Sequence, residues 1–173
     1  MLKRPMMQLE HSEIENSKHN LEISLVLEHL QSPQNIGLII RTAEAMGVQK
    51  IFVLSEKYQQ LNPKIKAITR ATEDYIEVIF VQDWSEILAR LTPEKVHFYA
   101  LEKTSHSVDY RSVSYKFPCV LICGNERYGV SEEALKLSEK HLHLPMYGRN
   151  TSMNVAMATG IALAQMVASP STL

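Results

Sequence analysis

The sequence predicts an α/β protein with a mostly parallel sheet and helices on both faces of that sheet. Short apolar runs typical of buried strands alternate along the chain with segments whose apolar residues recur at helical spacing. No internal repeat or low-complexity tract interrupts this alternation. A length of 173 residues suits one domain. We therefore interpret residues 1–20 as an N-terminal arm and residues 21–173 as a single domain.

The first predicted strand and helix follow directly after the arm. Apolar residues predict a strand over 24–30, which Ser32 and Pro33 end. A helix is predicted over 35–46, and Gly47 is a typical residue to end it. The apolar face of this helix contains Ile36, Ile39, Ile40, Ala43 and Met46.

The remaining elements continue the same alternation. Strands are predicted for the apolar runs 50–54, 76–81, 96–101, 119–123 and 141–144. Helices are predicted for 63–70, 84–91, 131–140 and 152–168. In such sheets, ligands bind at the carboxyl ends of the strands. We therefore expect the functional site in the loops 31–35, 102–106, 124–129 and 145–152.

The composition is that of an ordinary globular protein, with 45% hydrophobic and 21% charged residues. The net charge of −1 gives no general attraction to nucleic acid, so a local basic patch would have to provide it. Lys3 and Arg4 are not followed by the apolar stretch of a signal peptide. The uncharged run 150–173 contains many polar residues, so it is not expected to span a membrane. We expect a cytoplasmic protein.

The two cysteines, Cys119 and Cys123, are predicted to be buried and unpaired. In a strand they would lie about 13 Å apart, beyond the limit of about 7 Å for a disulfide, which fits a reducing compartment. His141 and His143 alternate in a predicted strand. Two histidines without a third ligand are a weak indication of a metal site, so we expect both to be structural and expect no metal.

The stretch LICGNERYGVS, residues 121–131, has the order of a ligand-binding turn. An apolar run ends at Gly124, loop-forming residues follow, and Ser131 can begin a helix. The stretch has no Walker lysine, and Glu126 would repel a phosphate. The first predicted strand is not followed by the glycine pattern of dinucleotide-binding folds, which argues against a nucleotide-dependent oxidoreductase. The residues alone leave the ligand of this loop open.

Three segments resemble, in order and spacing, the three motifs of the SpoU (TrmH-like) branch of the SPOUT RNA methyltransferases. They read SPQNIGLIIRTAEAMGV, LICGNERYGVS and LPMYGRNTSMNVAMATGIALAQ. The resemblance implies a 2′-O-methyltransferase that uses S-adenosylmethionine and acts on tRNA or rRNA, with tRNA favoured because the chain is a minimal core. It also implies a deep trefoil knot in the C-terminal part, which general rules of topology would exclude. A homodimer formed through the knot region and the last helix is expected.

The resemblance further implies that the C-terminal turns bind the cofactor. Glycines there would let the backbone approach the cofactor closely, and apolar side chains would surround the adenine and the methionine chain. The cofactor is a sulfonium cation without a phosphate, so Glu126 is no obstacle. The expected cofactor-binding residues are Leu101, Gly124, Asn125, Gly129, Leu144, Met146, Gly148, Ser152 and Met153.

The expected catalytic residues, again from the resemblance, are Asn35, Arg41, Glu126, Ser152 and Asn154. A guanidinium is a poor base because it stays protonated. Arg41 is better suited to clamp the phosphate beside the acceptor ribose and to stabilise the developing alkoxide. Proton uptake by that phosphate and by a transiently neutral arginine both stay open. Asn35 would orient the arginine or the RNA. Contacts to RNA phosphates are expected from Arg41, Lys103, Arg127 and Arg149.

The same residues also have structural interpretations. Arg41 fits the solvent side of an amphipathic helix, and Glu126 could cap turn amides or pair with Arg127. Ser152 and Asn154 are ordinary residues at a helix start. The last helix is apolar on nearly all sides, which suits a core helix or one shared with a dimer interface. A catalytically silent RNA-binding factor is the alternative function, and the intact motif residues favour an enzyme.

Overall fold

The computed structural model describes residues 13, 15–91 and 96–169. Most of the predicted N-terminal arm, residues 1–12 and 14, lies outside the described part of the chain. Residues 15–20 run to the first strand without helix or strand structure. His19 donates from Nε2 to the main-chain oxygen of Met46 over 2.8 Å. The end of the predicted arm is thereby attached to the end of the first helix.

Seven strands of the described residues form one sheet. They are β1 (Ile23–Glu28), β2 (Lys50–Leu54), β3 (Glu77–Val81), β4 (His97–Leu101), β5 (Val108–Asp109), β6 (Cys119–Cys123) and β7 (Lys140–His143). Their order across the sheet is β3-β2-β1-β6-β4-β7-β5. Each neighbouring pair is parallel. The predicted fold class is confirmed, and the sheet is wholly rather than mostly parallel. The knotted path stays a prediction.

Five α-helices of the described residues cover the two faces of the sheet. They are α1 (Pro33–Ala45), α2 (Pro63–Thr69), α3 (Trp84–Arg90), α4 (Glu132–Leu137) and α5 (Val155–Ala168). Because side chains of a strand alternate between faces, β1 contributes Leu25 to one apolar core and Val26 to the other. The first core contains residues of α1, α2 and α5. The second contains residues of α3 and α4. Within the described residues, no helix is long and apolar enough to cross a membrane.

Side-chain caps determine where the helices at the site begin. Ser32 accepts the main-chain N–H of Asn35 over 3.3 Å, so α1 begins at Pro33 rather than at residue 35. Asn154 accepts the N–H groups of Ala156 and Met157 over 2.9 and 3.3 Å. The last helix therefore begins at Val155, and the predicted start at residue 152 is wrong.

Helices α1 and α5 pack side by side on one face of the sheet. Asn154 near the start of α5 donates from Nδ2 to Oδ1 of Asn35 near the start of α1, over 2.9 Å. Further along, a Cβ on Gly160 would lie 3.2 Å from Cγ2 of Thr42. A glycine inside a helix is unfavourable compared with alanine, and this close packing accounts for Gly160.

The cysteines are buried and unpaired, as predicted. Cys123 donates from its thiol to Oγ1 of Thr159 over 3.1 Å, because the Thr159 hydroxyl itself donates to the main-chain oxygen of Val155. Burial raises the pKa of both Cys119 and Cys123 to about 12. Both thiols therefore stay protonated in the folded protein.

Candidate functional site

A cleft of about 620 Å³ opens at the carboxyl ends of β4, β6 and β7. The predicted loops 102–106, 124–129 and 145–152 each contribute residues to its lining. The predicted cofactor-binding residues that line it are Leu101, Gly124, Asn125, Gly129, Leu144, Met146, Ser152 and Met153. The sheet thus brings together side chains from distant parts of the sequence at the edge where ligands of such folds bind.

The turn after β6 is closed by its own backbone. Asn125 and Gly129 exchange two main-chain hydrogen bonds, both of 2.9 Å. A Cβ on Gly124 would collide with the backbone of Gly129 and Val130. Gly129 has a φ of +72°, which favours glycine, and a Cβ there would collide with the Glu102 carboxylate. Packing within the protein therefore requires glycine at both positions, independently of any ligand.

Glu102 also lines the cleft, although it is not one of the predicted site residues. Its Oε2 accepts the N–H of Val130 over 3.0 Å, and its Oε1 accepts the N–H of Lys103 over 2.9 Å. The carboxylate thereby ties the end of β4 to the turn after β6. The only signal in the sequence was its position directly after a predicted strand.

Glu126 joins the cleft to the loop that precedes α1. Its Oε2 accepts the N–H of Gln31 over 2.9 Å. Its Oε1 accepts the N–H of Ser32 over 3.1 Å and Nδ2 of Asn35 over 2.9 Å. Partial burial acts to raise the pKa of Glu126, but these hydrogen bonds outweigh it and hold the pKa below its ordinary value. The side chain is therefore an ionised carboxylate at neutral pH.

Three of the predicted catalytic residues form one hydrogen-bonded network. Asn35 is buried between Glu126 and Asn154, donating to the first and accepting from the second. The network links the loop before α1, the turn after β6 and the start of α5. Ser152 lines the cleft as an exposed residue and has no side-chain hydrogen bond to any described residue. Glu126 and Arg127 form no ion pair in the described part of the chain.

Arg41, Gly148 and Arg149 lie outside the lining of the cleft. Arg41 is on the exposed side of α1 and makes no hydrogen bond or ion pair with the described residues. With a rise of about 1.5 Å per residue, it lies about 9 Å along the helix from Asn35. Apart from its own chain neighbours, no atom of the described residues lies within 4 Å of a Cβ placed on Gly148, so the expected close crossing is not found there. The structure therefore does not bring these three residues together with the others.

Two of the predicted RNA-binding cations, Lys103 and Arg127, line the cleft. The guanidinium of Arg127 lies 5.3 Å from the ring centroid of Tyr128. His143 also lines the cleft, and its Nδ1 bonds to the Ser107 hydroxyl over 3.1 Å. His141 is held between Thr104 and the main-chain oxygen of Leu135. Among the described residues, no three metal-ligating side chains are grouped to hold an ion.

Comparison with known proteins decides the family. Residues 22–164 match the SpoU rRNA Methylase family. The chain belongs to the SpoU family. The three motif segments quoted above all lie within or overlap the matched range, and the resemblance seen in the sequence is confirmed.

Two curated SpoU relatives illustrate the similarity. The tRNA (guanosine(18)-2′-O)-methyltransferase of Aquifex aeolicus is 30% identical over 149 residues, which are 84% of this chain and 69% of that protein. The protein of the same name from Escherichia coli is 25% identical over 142 residues, which are 82% of this chain and 61% of that protein. The chain therefore spans about two thirds of the length of these relatives.

Two solved structures of RNA-modifying enzymes have the same fold as this chain. The A. aeolicus TrmH/SpoU tRNA modifying enzyme superposes with a TM-score of 0.76 at 28% identity, covering 87% of this chain and 76% of that one. The AdoMet-bound rRNA methyltransferase from Sinorhizobium meliloti superposes with a TM-score of 0.77 at 29% identity. That alignment covers 88% of this chain and 57% of the other.

Proposed function

We propose that this chain is an S-adenosylmethionine-dependent RNA methyltransferase that modifies a ribose 2′-hydroxyl. The proposal rests on the cleft together with the hydrogen-bonded network of Glu126, Asn35 and Asn154. This network joins one residue from each of the three motif segments. SpoU relatives named as tRNA and 23S rRNA 2′-O-methyltransferases support it. We propose tRNA as the substrate. We also propose a cytoplasmic location, because unpaired buried thiols are typical of proteins in a reducing compartment.

The cleft suits S-adenosylmethionine in size and chemistry. Its volume lies within the range of about 300–1,000 Å³ typical of small-molecule sites. Leu144, Met146 and Met153 provide apolar lining, and the turn of Gly124 provides backbone groups. The carboxylates of Glu102 and Glu126 are compatible with a sulfonium and unfavourable for a phosphate. When bound, this cofactor supplies a methyl group that is already activated for transfer.

The protein residues have to place the acceptor ribose and stabilise its developing negative charge. Glu126 and Asn35 hold the loop before α1 against the cleft, which fixes one wall of the site. Arg41 offers a planar set of donors that can clamp a neighbouring phosphate and stabilise an alkoxide. Because Arg41 lies on the exposed side of α1, the bound RNA has to extend over that face.

Replacing Arg41 tests this assignment. We expect Arg41→Ala to bind S-adenosylmethionine with unchanged affinity in calorimetry, because the residue lies outside the cleft. We expect it to lose tritiated methyl transfer to unmodified tRNA. Arg90→Ala, which changes an exposed arginine on α3, is the matched control and should remain active. Near-normal turnover by Arg41→Ala would refute the assigned role.

The proposed working form is a homodimer whose interface contains the last helix, α5, as expected from the resemblance, and also α1, which packs beside it. Leu38 of α1 and Met157 of α5 are 43% and 60% exposed, although the two helices pack side by side. Exposed apolar side chains on adjacent helices are typical of an interaction surface. Arg41 follows Leu38 by one helical turn on the same face. Dimerisation there would place Arg41 at the edge of the interface.

Analytical ultracentrifugation tests the dimer. We expect the wild type to sediment as a dimer and Leu38→Glu or Met157→Glu to sediment as a monomer, because each places a charge on the apolar face. Ala89→Glu, on an exposed position of α3 across the sheet, is the control and should leave the dimer intact. A monomeric wild type would contradict the proposal.

A further inference from the structure

A second cavity, here named the hollow, lies next to the cleft on the other side of Glu126. Its volume is about 450 Å³, and its lining consists of Gln31, Ser32, Gln34, Asn125, Glu126 and Arg127. Three of these residues, Asn125, Glu126 and Arg127, also line the cofactor cleft. The two cavities therefore share one wall, and molecules bound in them would meet across it.

We propose that this hollow binds the nucleobase of the acceptor nucleotide, with Gln34 and Arg127 as the contacts that determine its specificity. A base held in the hollow places its own ribose at the shared wall, next to the cleft. The proposal rests on the methyl transfer proposed above, and it adds where the acceptor base lies and which residues contact it.

The hollow presents polar groups that the rest of the protein leaves unused. Nε2 of Gln34 and Oε1 of Gln31 have no hydrogen-bond partner among the described residues. The Arg127 guanidinium makes no hydrogen bond with the described part of the chain, and its partner is the Tyr128 ring. A free amide donor, a free amide acceptor and a planar guanidinium are groups that proteins use to read base edges and to stack on bases.

The carboxylate of Glu126 favours a neutral base over a phosphate at its side of the wall. Glu126 is an ionised carboxylate, because the hydrogen bonds it accepts hold its pKa low. An ionised carboxylate repels a phosphate but can accept a hydrogen bond from the N–H group of a neutral base. Its Oε2 accepts one bond, from Gln31, and so has a lone pair left for a ligand.

Hydrogen bonds within the protein hold the lining of the hollow in place. The main-chain oxygen of Gln31 accepts from Nζ of Lys57 over 2.8 Å and from the hydroxyl of Tyr58 over 2.7 Å. Asn125 donates from Nδ2 to the main-chain oxygen of His29 over 2.6 Å. Its Oδ1 accepts the N–H of Arg127 over 2.9 Å. A wall fixed in this way loses little entropy when a ligand binds.

Nuclear magnetic resonance tests the site directly. Isotope-labelled protein saturated with adenosylhomocysteine is titrated with adenosine, guanosine, cytidine and uridine. We expect at least one nucleoside to shift the amide signals of Gln31, Ser32 and Arg127 without displacing adenosylhomocysteine. Gln34→Ala should weaken that affinity roughly tenfold, and Gln60→Ala, an exposed glutamine outside the hollow, should not. Absence of these shifts, or shifts only after adenosylhomocysteine is removed, would overturn the proposal.

Steady-state kinetics with unmodified tRNA transcripts provide the second test. We expect Gln34→Ala and Arg127→Ala each to raise the KM for RNA roughly tenfold. Gln34→Ala should also leave the KM for S-adenosylmethionine unchanged, because Gln34 lines the hollow but not the cleft. Arg127→Lys keeps the charge but loses the planar surface, so it should remain impaired, whereas a phosphate contact would be restored. Wild-type KM values in the alanine variants would overturn the base site and leave the methyltransferase proposal intact. A wild type that transfers no methyl group would instead overturn the methyltransferase proposal.

Discussion

The Glu126→Gln substitution removes one charge from the network at the cleft and preserves the size of the side chain. In the wild type, the carboxylate accepts the N–H groups of Gln31 and Ser32 over 2.9 and 3.1 Å and Nδ2 of Asn35 over 2.9 Å. A glutamine side chain has only one acceptor oxygen. When that oxygen takes the place of Oε1, the bonds from Ser32 and Asn35 are kept and the bond from Gln31 is lost. The amide nitrogen of the substituted side chain then faces the N–H of Gln31, and two donors repel each other.

The expected cost follows from the bond that is lost. A hydrogen bond to a charged group contributes about 1.5–3 kcal/mol. Glu126 is an exposed residue, so solvent screening reduces this contribution. We expect the free energy of unfolding to fall by about 1–2 kcal/mol. For a domain of this length, the melting temperature should fall by roughly 2–8 °C.

The difference in the free energy of unfolding between the wild type and Glu126→Gln should increase from acidic to neutral pH. The pKa of Glu126 is lowered in the folded protein. Its stabilising contribution is therefore present above its unfolded pKa of about 4.3 and is lost as the pH falls through the folded pKa. Glutamine does not titrate. The difference in stability should thus be largest at neutral pH and should shrink in acid.

Urea titrations at neutral pH and at several acidic pH values measure both stabilities. Glu56→Gln, at an exposed glutamate outside the network, is the matched control and should change stability by less than about 0.5 kcal/mol. Equal stability of wild type and Glu126→Gln at neutral pH, or a difference that does not change with pH, would refute the role given to this carboxylate.

Three further substitutions or treatments test other parts of the structure. Gly129→Ala should lower the free energy of unfolding by at least about 1 kcal/mol and weaken adenosylhomocysteine binding in calorimetry, because Gly129 has a φ of +72°. The control, Gly148→Ala, lies in open space and should match the wild type in both measurements. Glu28→Ala should cost about 2–4 kcal/mol in urea unfolding, because it leaves the N–H groups of Trp84 and Ser131 without their acceptor; a cost near zero would contradict this. The two thiols, whose pKa burial raises to about 12, should react with Ellman's reagent at mildly alkaline pH only after unfolding; rapid labelling of the native protein would show that they are accessible.

Strand and helix positions were predictable where the sequence has sharp local signals. The apolar runs of β2 and β6 begin and end as predicted. The strand β1 ends at Glu28 rather than residue 30, because His29 adopts a positive φ of 54°. The strand β5 has two residues, which is too short for any pattern. Both Ser152 and Asn154 are suitable caps, and only the fold selects Asn154 as the cap of α5.

The site was predictable at the level of loops but not of contacts. The alternation of strands and helices placed the functional loops at one edge of the sheet, and they meet there. The bond from Asn35 to Glu126 joins residues 91 positions apart, and the bond from Asn154 to Asn35 joins residues 119 apart. Local patterns carry no signal for such pairs. The contact of Glu102 with Val130 could not be predicted for the same reason, because the two residues are 28 positions apart.

The most direct test of the proposed function is to identify the methylated atom. The protein is incubated with S-adenosylmethionine carrying a deuterated methyl group and with unmodified tRNA or rRNA, and the RNA is digested to nucleosides for mass spectrometry. We predict a labelled 2′-O-methylnucleoside that is absent with Arg41→Ala. A label on a nucleobase, or no label from protein that binds adenosylhomocysteine, would contradict the proposed reaction.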